Sequence, residues 1–168
     1  MVTKGFIDGT LRALDAAYTA PTTTPDDTQR YAKLAIIELC GWIEESMDDI
    51  VFRCSRRHLK VPENLKYCDT QVIKRTNGFE YEAHFRAMLI RVVGLINVEK
   101  VEGQVDQPKY VLMTAALRFL KKLRDVEAHT HLKGSTRTLT APSVMIGKFN
   151  EIYVGLLEFD QVMRPNRW

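Results

Sequence analysis

The stretch AKLAIIELCGWIEESMDDIV, residues 32–51, predicts the fold class. Its apolar residues recur at steps of four and three positions, which is the spacing of one face of an α-helix. The steps continue to residue 54, and the seam comprises Ile36, Cys40, Ile43, Met47, Ile50 and Cys54. Four carboxylates fall outside the seam: Glu44, Glu45, Asp48 and Asp49. The stretch is therefore the middle of a long helix whose apolar face packs against partner helices.

Polar residues mark both ends of this long helix, which is the second in the chain. Thr24 fits an N-cap, and Pro25 fits the first helical position. The cations of RCSRRHLK, residues 53–60, suit the negative pole of the helix dipole. We therefore expect the helix to run from Pro25 to about His58. Gly41 inside it suggests either a close backbone approach or a tolerated weak point.

Apolar periodicity predicts further helices over residues 6–18 and 79–97, and from about residue 108 onward. The residues that share one face of the 79–97 helix are Phe85, Met88, Leu89, Val92, Val93 and Ile96. The helix from residue 108 carries core-spaced Met113, Leu117, Leu120 and Leu123. That helix runs into Arg124, and a final amphipathic helix starts near Thr140 or Ser143.

The remaining segments are connectors, and no strand pair is evident. Pro62 is placed to begin a short helix within residues 61–78, and residues 99–109 are predicted to form a loop. Long helices with modest loops predict an all-α fold, an up-and-down bundle of five to six helices. We expect a single domain over residues 1–168, with a short basic tail at 164–168.

Composition is that of an ordinary globular protein. The chain has 168 residues, of which 45% are hydrophobic and 27% charged. No apolar run approaches the roughly 18 residues that a membrane helix needs, and the N-terminus lacks a secretory signal. We therefore expect a cytoplasmic protein with no membrane partner. Cys40, Cys54 and Cys68 are too few and too scattered for a disulfide framework, which favours buried small side chains.

The positive charge is concentrated in the second half of the chain. Residues 1–84 carry 11 Lys and Arg against 13 Asp and Glu, whereas residues 85–168 carry 13 against 8. The net charges of the two halves are therefore −2 and +5. This bias permits an anionic partner at the C-terminal half without identifying one.

The stretch KKLRDVEAHTHLKG, residues 121–134, holds the candidate site. Arg124 continues the apolar stripe of its helix, so its guanidinium needs an acceptor. His129 lies five positions on, about 140° around a regular helix, and the two side chains cannot lie side by side there. Either the helix ends before His129, or each residue meets a partner from elsewhere, for example from a second copy of the chain. The alternative is a purely structural role, namely a helix end with a capping histidine and a salt-bridged arginine.

An all-α bundle whose penultimate long helix ends in Arg-x4-His resembles the HEPN superfamily. The motif comprises Arg124, the polar Asp125, three further residues, His129 and then Thr130. The long second helix looks like that of the RiboL-PSP branch of the superfamily. The resemblance covers most of the chain as architecture, but only about seven residues as motif.

The resemblance implies a metal-independent endoribonuclease of toxin–antitoxin or phage-defence systems, acting as a homodimer whose two motifs face each other. Arg124 and His129 are then the catalytic pair, with Asp125 in support, and neither a cofactor nor a metal is required. The partners implied are RNA, a second copy, and an antitoxin or another defence protein. The alternative is a non-catalytic HEPN-like module that binds RNA or nucleotide, or scaffolds a partner.

Polar and basic residues around the motif are candidates for RNA contact. They are Lys121, Lys122, Thr130, His131, Lys133 and Arg137. A solvated face at a helix end accounts for the cations equally well. His131 is a candidate to share the role of His129. A metal site built on His129 and His131 is less favoured, because no CxxC or HExxH pattern accompanies them.

Overall fold

The computed structural model describes residues 1–128 and 139–165, and within them the chain is all-α without a strand. The seven α-helices of this part are α1 Gly5–Thr19, α2 Pro25–His58, α3 Pro62–Tyr67, α4 Arg86–Val93, α5 Leu95–Gln104, α6 Gln107–Ala128 and α7 Pro142–Met163. Two π-helical segments, Cys68–Ile73 and Tyr81–Phe85, lie between α3 and α4. The all-α prediction is confirmed, but the helices number seven rather than five to six.

The long helix α2 has the predicted bounds and the predicted start. The side-chain oxygen of Thr24 accepts a hydrogen bond from the backbone N–H of Asp27 at 3.2 Å, which satisfies one of the free amides of the first turn. The predicted seam is buried along its whole length. All three cysteines are also buried and free, as expected. A Cβ added at Gly41 would meet nothing within 4 Å, so no close approach occurs there within the chain.

The segment predicted as one helix over residues 79–97, followed by a loop over 99–109, is divided differently. A π-helical segment leads into α4, α4 stops at Gly94, and α5 then continues to Gln104. Gly94 has a φ of +82°, a backbone conformation that glycine adopts freely and that ends a right-handed helix. The placement of Ile96 on the core face is wrong, since it is 73% exposed. The apolar periodicity continues across Gly94, so it could not predict where one helix ends and the next begins.

The core lies where α7 packs against α1, α2 and α6. Tyr81, Phe85 and Tyr110 surround Phe159 of α7 with ring centroids 5.5 to 6.3 Å apart. Aromatic rings at such distances add about 0.5–1.5 kcal/mol per pair to the burial of apolar area. Helix α6 also packs on α2, which brings the C-terminal part of α6 beside the middle of α2.

A buried carboxylate ties α7 to α2. Asp160 is 1% exposed and accepts hydrogen bonds from Arg53 at 2.5 Å and from Arg164 at 2.6 Å. Burial alone would raise the pKa of Asp160, but the hydrogen bonds and charges of Arg164 and Arg53 outweigh it and lower the pKa. Asp160 therefore stays ionised inside the bundle, with its charge compensated by two guanidinium groups.

Candidate functional site

Arg124 near the end of α6 contacts residues from two other parts of the chain. Its Nη1 lies 3.0 Å from Oε1 of Glu44 on α2. Its guanidinium carbon lies 5.5 Å from the ring centroid of Phe79, a side chain that is fully buried. Glu44 Oε1 accepts no hydrogen bond, so this contact is an ion pair without hydrogen-bond alignment. Glu44 supplies the counter-charge that the position of Arg124 on an apolar stripe required.

A cleft of about 310 Å³ opens at this ion pair. It is lined by Ile37, Cys40, Gly41, Glu44 and Arg124. The Arg124 side chain is 37% exposed, which leaves part of the guanidinium accessible from the cleft. A guanidinium that is held by a carboxylate and an aromatic ring, yet still accessible, can donate hydrogen bonds to an anionic oxygen in place of water.

The thiol of Cys40 also lines this cleft without being a nucleophile there. Burial raises the pKa of Cys40 to about 12, and the lowering effect of the Arg124 charge does not offset that burial. Because the thiolate is the reactive form, Cys40 stays an inert thiol at neutral pH.

A second cleft, of about 420 Å³, adjoins the first and shares Ile37 and Gly41 with it. Its other lining residues are Thr3, Phe6, Ile7, Glu38, Trp42 and Glu45. Trp42 forms an edge-to-face contact with Phe149 at 5.0 Å, and so part of this lining is anchored in the core. Ile37 and Gly41, on the exposed face of α2, therefore line both clefts.

Asp48 on α2 lies in an environment that disfavours its negative charge. Burial raises the pKa of Asp48 to about 6, and the neighbouring charges of Glu44 and Glu45 add to the effect. The carboxylate is thus partly protonated near neutrality, and a nearby cation would favour its charged form.

The remaining predicted residues on α6 lie on its solvent side. Asp125 pairs with Lys121 one turn earlier, and its side chain is 54% exposed. Lys122 is exposed. The Asp125–Lys121 pair keeps a second cation on the same turn of α6 as Arg124.

Five predicted residues lie outside the described part of the chain. They are His129, Thr130, His131, Lys133 and Arg137. His129 follows Ala128, the last described residue of α6, directly in sequence. The joint action of Arg124 and His129 therefore stays a prediction.

Glu44 and Phe79, the two contacts of Arg124, were not predicted from the sequence. Glu44 was identified only as a carboxylate outside the α2 seam, and Phe79 only as the first residue of a predicted helix. The requirement of Arg124 for an acceptor was the available signal, but it could not select among the carboxylates of α2 because the α6–α2 register is a tertiary property.

The histidines of the described part have local structural contacts. His84 Nδ1 accepts a hydrogen bond from the backbone N–H of Glu80 at 3.1 Å. Burial lowers the pKa of His58, and the charges of Arg57 and Lys60 lower it further. Over residues 1–128 and 139–165, no three His, Cys, Asp or Glu side chains are grouped to hold a metal. None of the helices described there has both the length and the apolarity to cross a bilayer.

Comparisons of the chain with protein-family models, with curated proteins and with solved structures gave no match.

Proposed function

We propose that the protein is a metal-independent endoribonuclease of the HEPN type that acts as a homodimer. The observation that carries the proposal is Arg124, a guanidinium held between Glu44 and Phe79 that lines an accessible cleft near the C-terminal end of α6. The arginine of the Arg-x4-His motif thus occupies a position from which it can bind a phosphate. His129 is the proposed proton carrier, and Asp125 is the supporting polar residue.

The proposed reaction uses the nucleophile that RNA already contains. The 2′-oxygen attacks the adjacent phosphorus and loses its proton to one His129 imidazole, which acts as the base. The phosphorus–O5′ bond breaks, and the leaving 5′-oxygen takes a proton from the His129 of the second copy. Arg124 stabilises the negative charge that develops on the phosphorane oxygens. The products are a 2′,3′-cyclic phosphate and a 5′-hydroxyl.

The cations around Arg124 support an RNA substrate. Lys121 and Lys122 lie within one helical turn of Arg124 on α6, and the second half of the sequence carries the +5 charge. Contacts of this kind bind the phosphate backbone without reading its sequence. The biological role proposed with this activity is that of a toxin or a phage-defence effector, held in check by an antitoxin or another partner.

One observation favours the alternative of a non-catalytic module. The charge of Arg124 is already compensated by Glu44, and an arginine in a purely structural ion pair would have the same contacts. In that case the bundle binds RNA or nucleotide, or scaffolds a partner, without cleaving RNA.

A comparison of purified variants on total RNA tests the proposal. Wild type is expected to cleave RNA in the presence of EDTA and to leave 2′,3′-cyclic phosphate ends. Arg124→Ala and His129→Ala should each lower the rate by about 100-fold or more, the range for a lost charge stabiliser or proton carrier. Arg91→Ala, which removes an exposed arginine on α4, serves as the matched control and should retain activity. His131→Ala separates the contribution of His131 from that of His129.

Products with 5′-phosphate ends or a strict requirement for a metal would contradict this chemistry. Wild-type protein that neither cleaves RNA nor arrests growth, even when freed of any bound partner, would favour the scaffold alternative.

A further inference from the structure

Helix α2 carries a second seam, whose first four positions are exposed and whose last two, Glu44 and Asp48, are partly buried. It comprises Arg30, Leu34, Ile37, Gly41, Glu44 and Asp48, which repeat the steps of four and three. Leu34 is 42% exposed and Ile37 is 47% exposed. At Gly41 an added Cβ would meet nothing within 4 Å, which leaves an open notch beside these two side chains. A helix seam with this spacing is suited to pack against another helix.

When reversed, the exposed seam is complementary to itself in charge at its two ends and in side-chain size at its centre. A cation stands at its N-terminal end, two branched apolar side chains and a glycine in the middle, and carboxylates at its C-terminal end. In an antiparallel pair centred on residue 39, Arg30 faces the partner's Asp48, and Ile37 faces the partner's Gly41. We propose that a second copy of this chain binds here, with the two α2 helices antiparallel and each Ile37 filling the notch at Gly41 of the other.

Asp48 is a carboxylate whose charge an added cation would stabilise. Its carboxylate is half-buried beside Glu44 and Glu45, and these neighbours disfavour its charge. Arg30 is available to compensate that charge, because its own partner is the exposed Asp27 at 3.1 Å on the same helix. Exposed pairs three residues apart are weak and screened by salt, so the loss of that pair costs little when Arg30 turns to another carboxylate.

The proposed interface completes the wall of the Arg124 cleft. Ile37 and Gly41 belong both to the seam and to the cleft lining, and the register that pairs them places the partner's Leu34 opposite Glu44. Each copy therefore contributes an apolar side chain next to the other copy's Glu44–Arg124 ion pair. This inference rests on the proposed function in one respect, namely that a second copy belongs at the Arg124 site.

Mass measurement by light scattering over a concentration series tests the interface. Wild type is expected at twice the chain mass of 19.3 kDa. Ile37→Lys should raise the dimer dissociation constant by at least about tenfold, since it places a charge in the centre of the seam. Ile96→Lys alters an isoleucine of α5 that is even more exposed and lies outside the seam, so it should leave the dimer intact.

Two further changes separate loss of the interface from loss of the fold. Gly41→Leu fills a notch that is empty within one chain, so the helical circular dichroism should persist while the dimer weakens by at least about tenfold. Arg30→Asp and Asp48→Arg should each weaken the dimer, and the double variant should recover it because the pair is restored in reverse.

The outcomes distinguish this inference from the proposed function. A folded Gly41→Leu or Ile37→Lys protein that remains as dimeric as wild type overturns the interface, even if RNA cleavage is confirmed. A monomeric wild type overturns it as well. A dimer that depends on the seam, in a protein without nuclease activity, supports the interface and overturns only the proposed function.

Discussion

The Nη1 atom of Arg124 lies 3.0 Å from Oε1 of Glu44 and joins the C-terminal part of α6 to the middle of α2. The two residues are 80 positions apart in sequence, so their contact is created entirely by the packing of the bundle. The carboxylate orients the guanidinium and at the same time reduces the net positive charge available to a phosphate. Glu44 is therefore expected to act through Arg124 as a positioning residue.

Glu44→Gln should separate the effect of Glu44 on the orientation of the Arg124 guanidinium from its effect on substrate binding. Loss of the carboxylate leaves the guanidinium with one fewer restraint, and kcat for RNA cleavage should fall about fivefold, which corresponds to roughly 1 kcal/mol, the upper end for a partly exposed ion pair. KM should not rise, because a negative charge next to the proposed phosphate site has been removed. Steady-state kinetics on one RNA substrate measures both constants. Glu45→Gln, which alters the adjacent cleft instead, is the control. A raised KM with unchanged kcat would contradict the positioning role.

Cys40 should be unreactive in the native protein although it lines the Arg124 cleft. Because burial raises its pKa to about 12, almost no thiolate exists at pH 8. Cys54 and Cys68 are also buried. Labelling of the native protein by a thiol reagent is expected to be slow at all three sites, and complete after unfolding in denaturant. Rapid modification of Cys40 in the native protein, identified by mass spectrometry of its peptides, would contradict the burial of this thiol.

Helix α2 could be predicted from the sequence because every local signal agreed. The seam, the Thr24 cap, Pro25 at the first position and the cations at the end all act within a few residues of one another, and the structure has the predicted bounds. The segment from 79 to 104 could not be predicted in the same way. Its apolar spacing continues through Gly94, whose positive φ ends one helix and begins another.

The candidate site was predictable only for the residues close to the motif. The position of Arg124 on its helix indicated that an acceptor was required, but Glu44 and Phe79 come from distant segments brought there by packing. The Asp125–Lys121 pair is local and follows from the spacing of four residues. The sequence thus identifies which side chain needs a partner, and the tertiary structure identifies that partner.

Gly155→Ala should destabilise the α6–α7 packing. A Cβ at Gly155 would lie 2.5 Å from Cβ of Met113 and 2.7 Å from its sulfur, so the helices would have to move apart. We expect a loss of about 1–3 kcal/mol in the free energy of unfolding, as for overpacked cores. Gly147→Ala on the same helix meets nothing within 4 Å and should instead stabilise by about 0.5–1 kcal/mol through helix propensity. Urea unfolding compares the two. Equal changes in the free energy of unfolding for the two substitutions would mean that Gly155 does not approach Met113 closely.

Asp160→Asn should cost about 3 kcal/mol of unfolding free energy at pH 7, because it leaves the guanidinium groups of Arg53 and Arg164 without their buried counter-charge. The pKa of Asp160 is lower in the folded chain than its unfolded value of roughly 3.9. The stabilisation is therefore fully present above that pH and is lost as the pH falls through the folded pKa. Urea unfolding of wild type and variant over a pH series should give stabilities that begin to converge as the pH falls below about 4, and that become equal only below the folded pKa of Asp160. Asp49→Asn, which removes only the exposed partner of Arg53, should cost less than about 1 kcal/mol. A pH-independent difference for Asp160→Asn would rule out its charge as the source of the stabilisation.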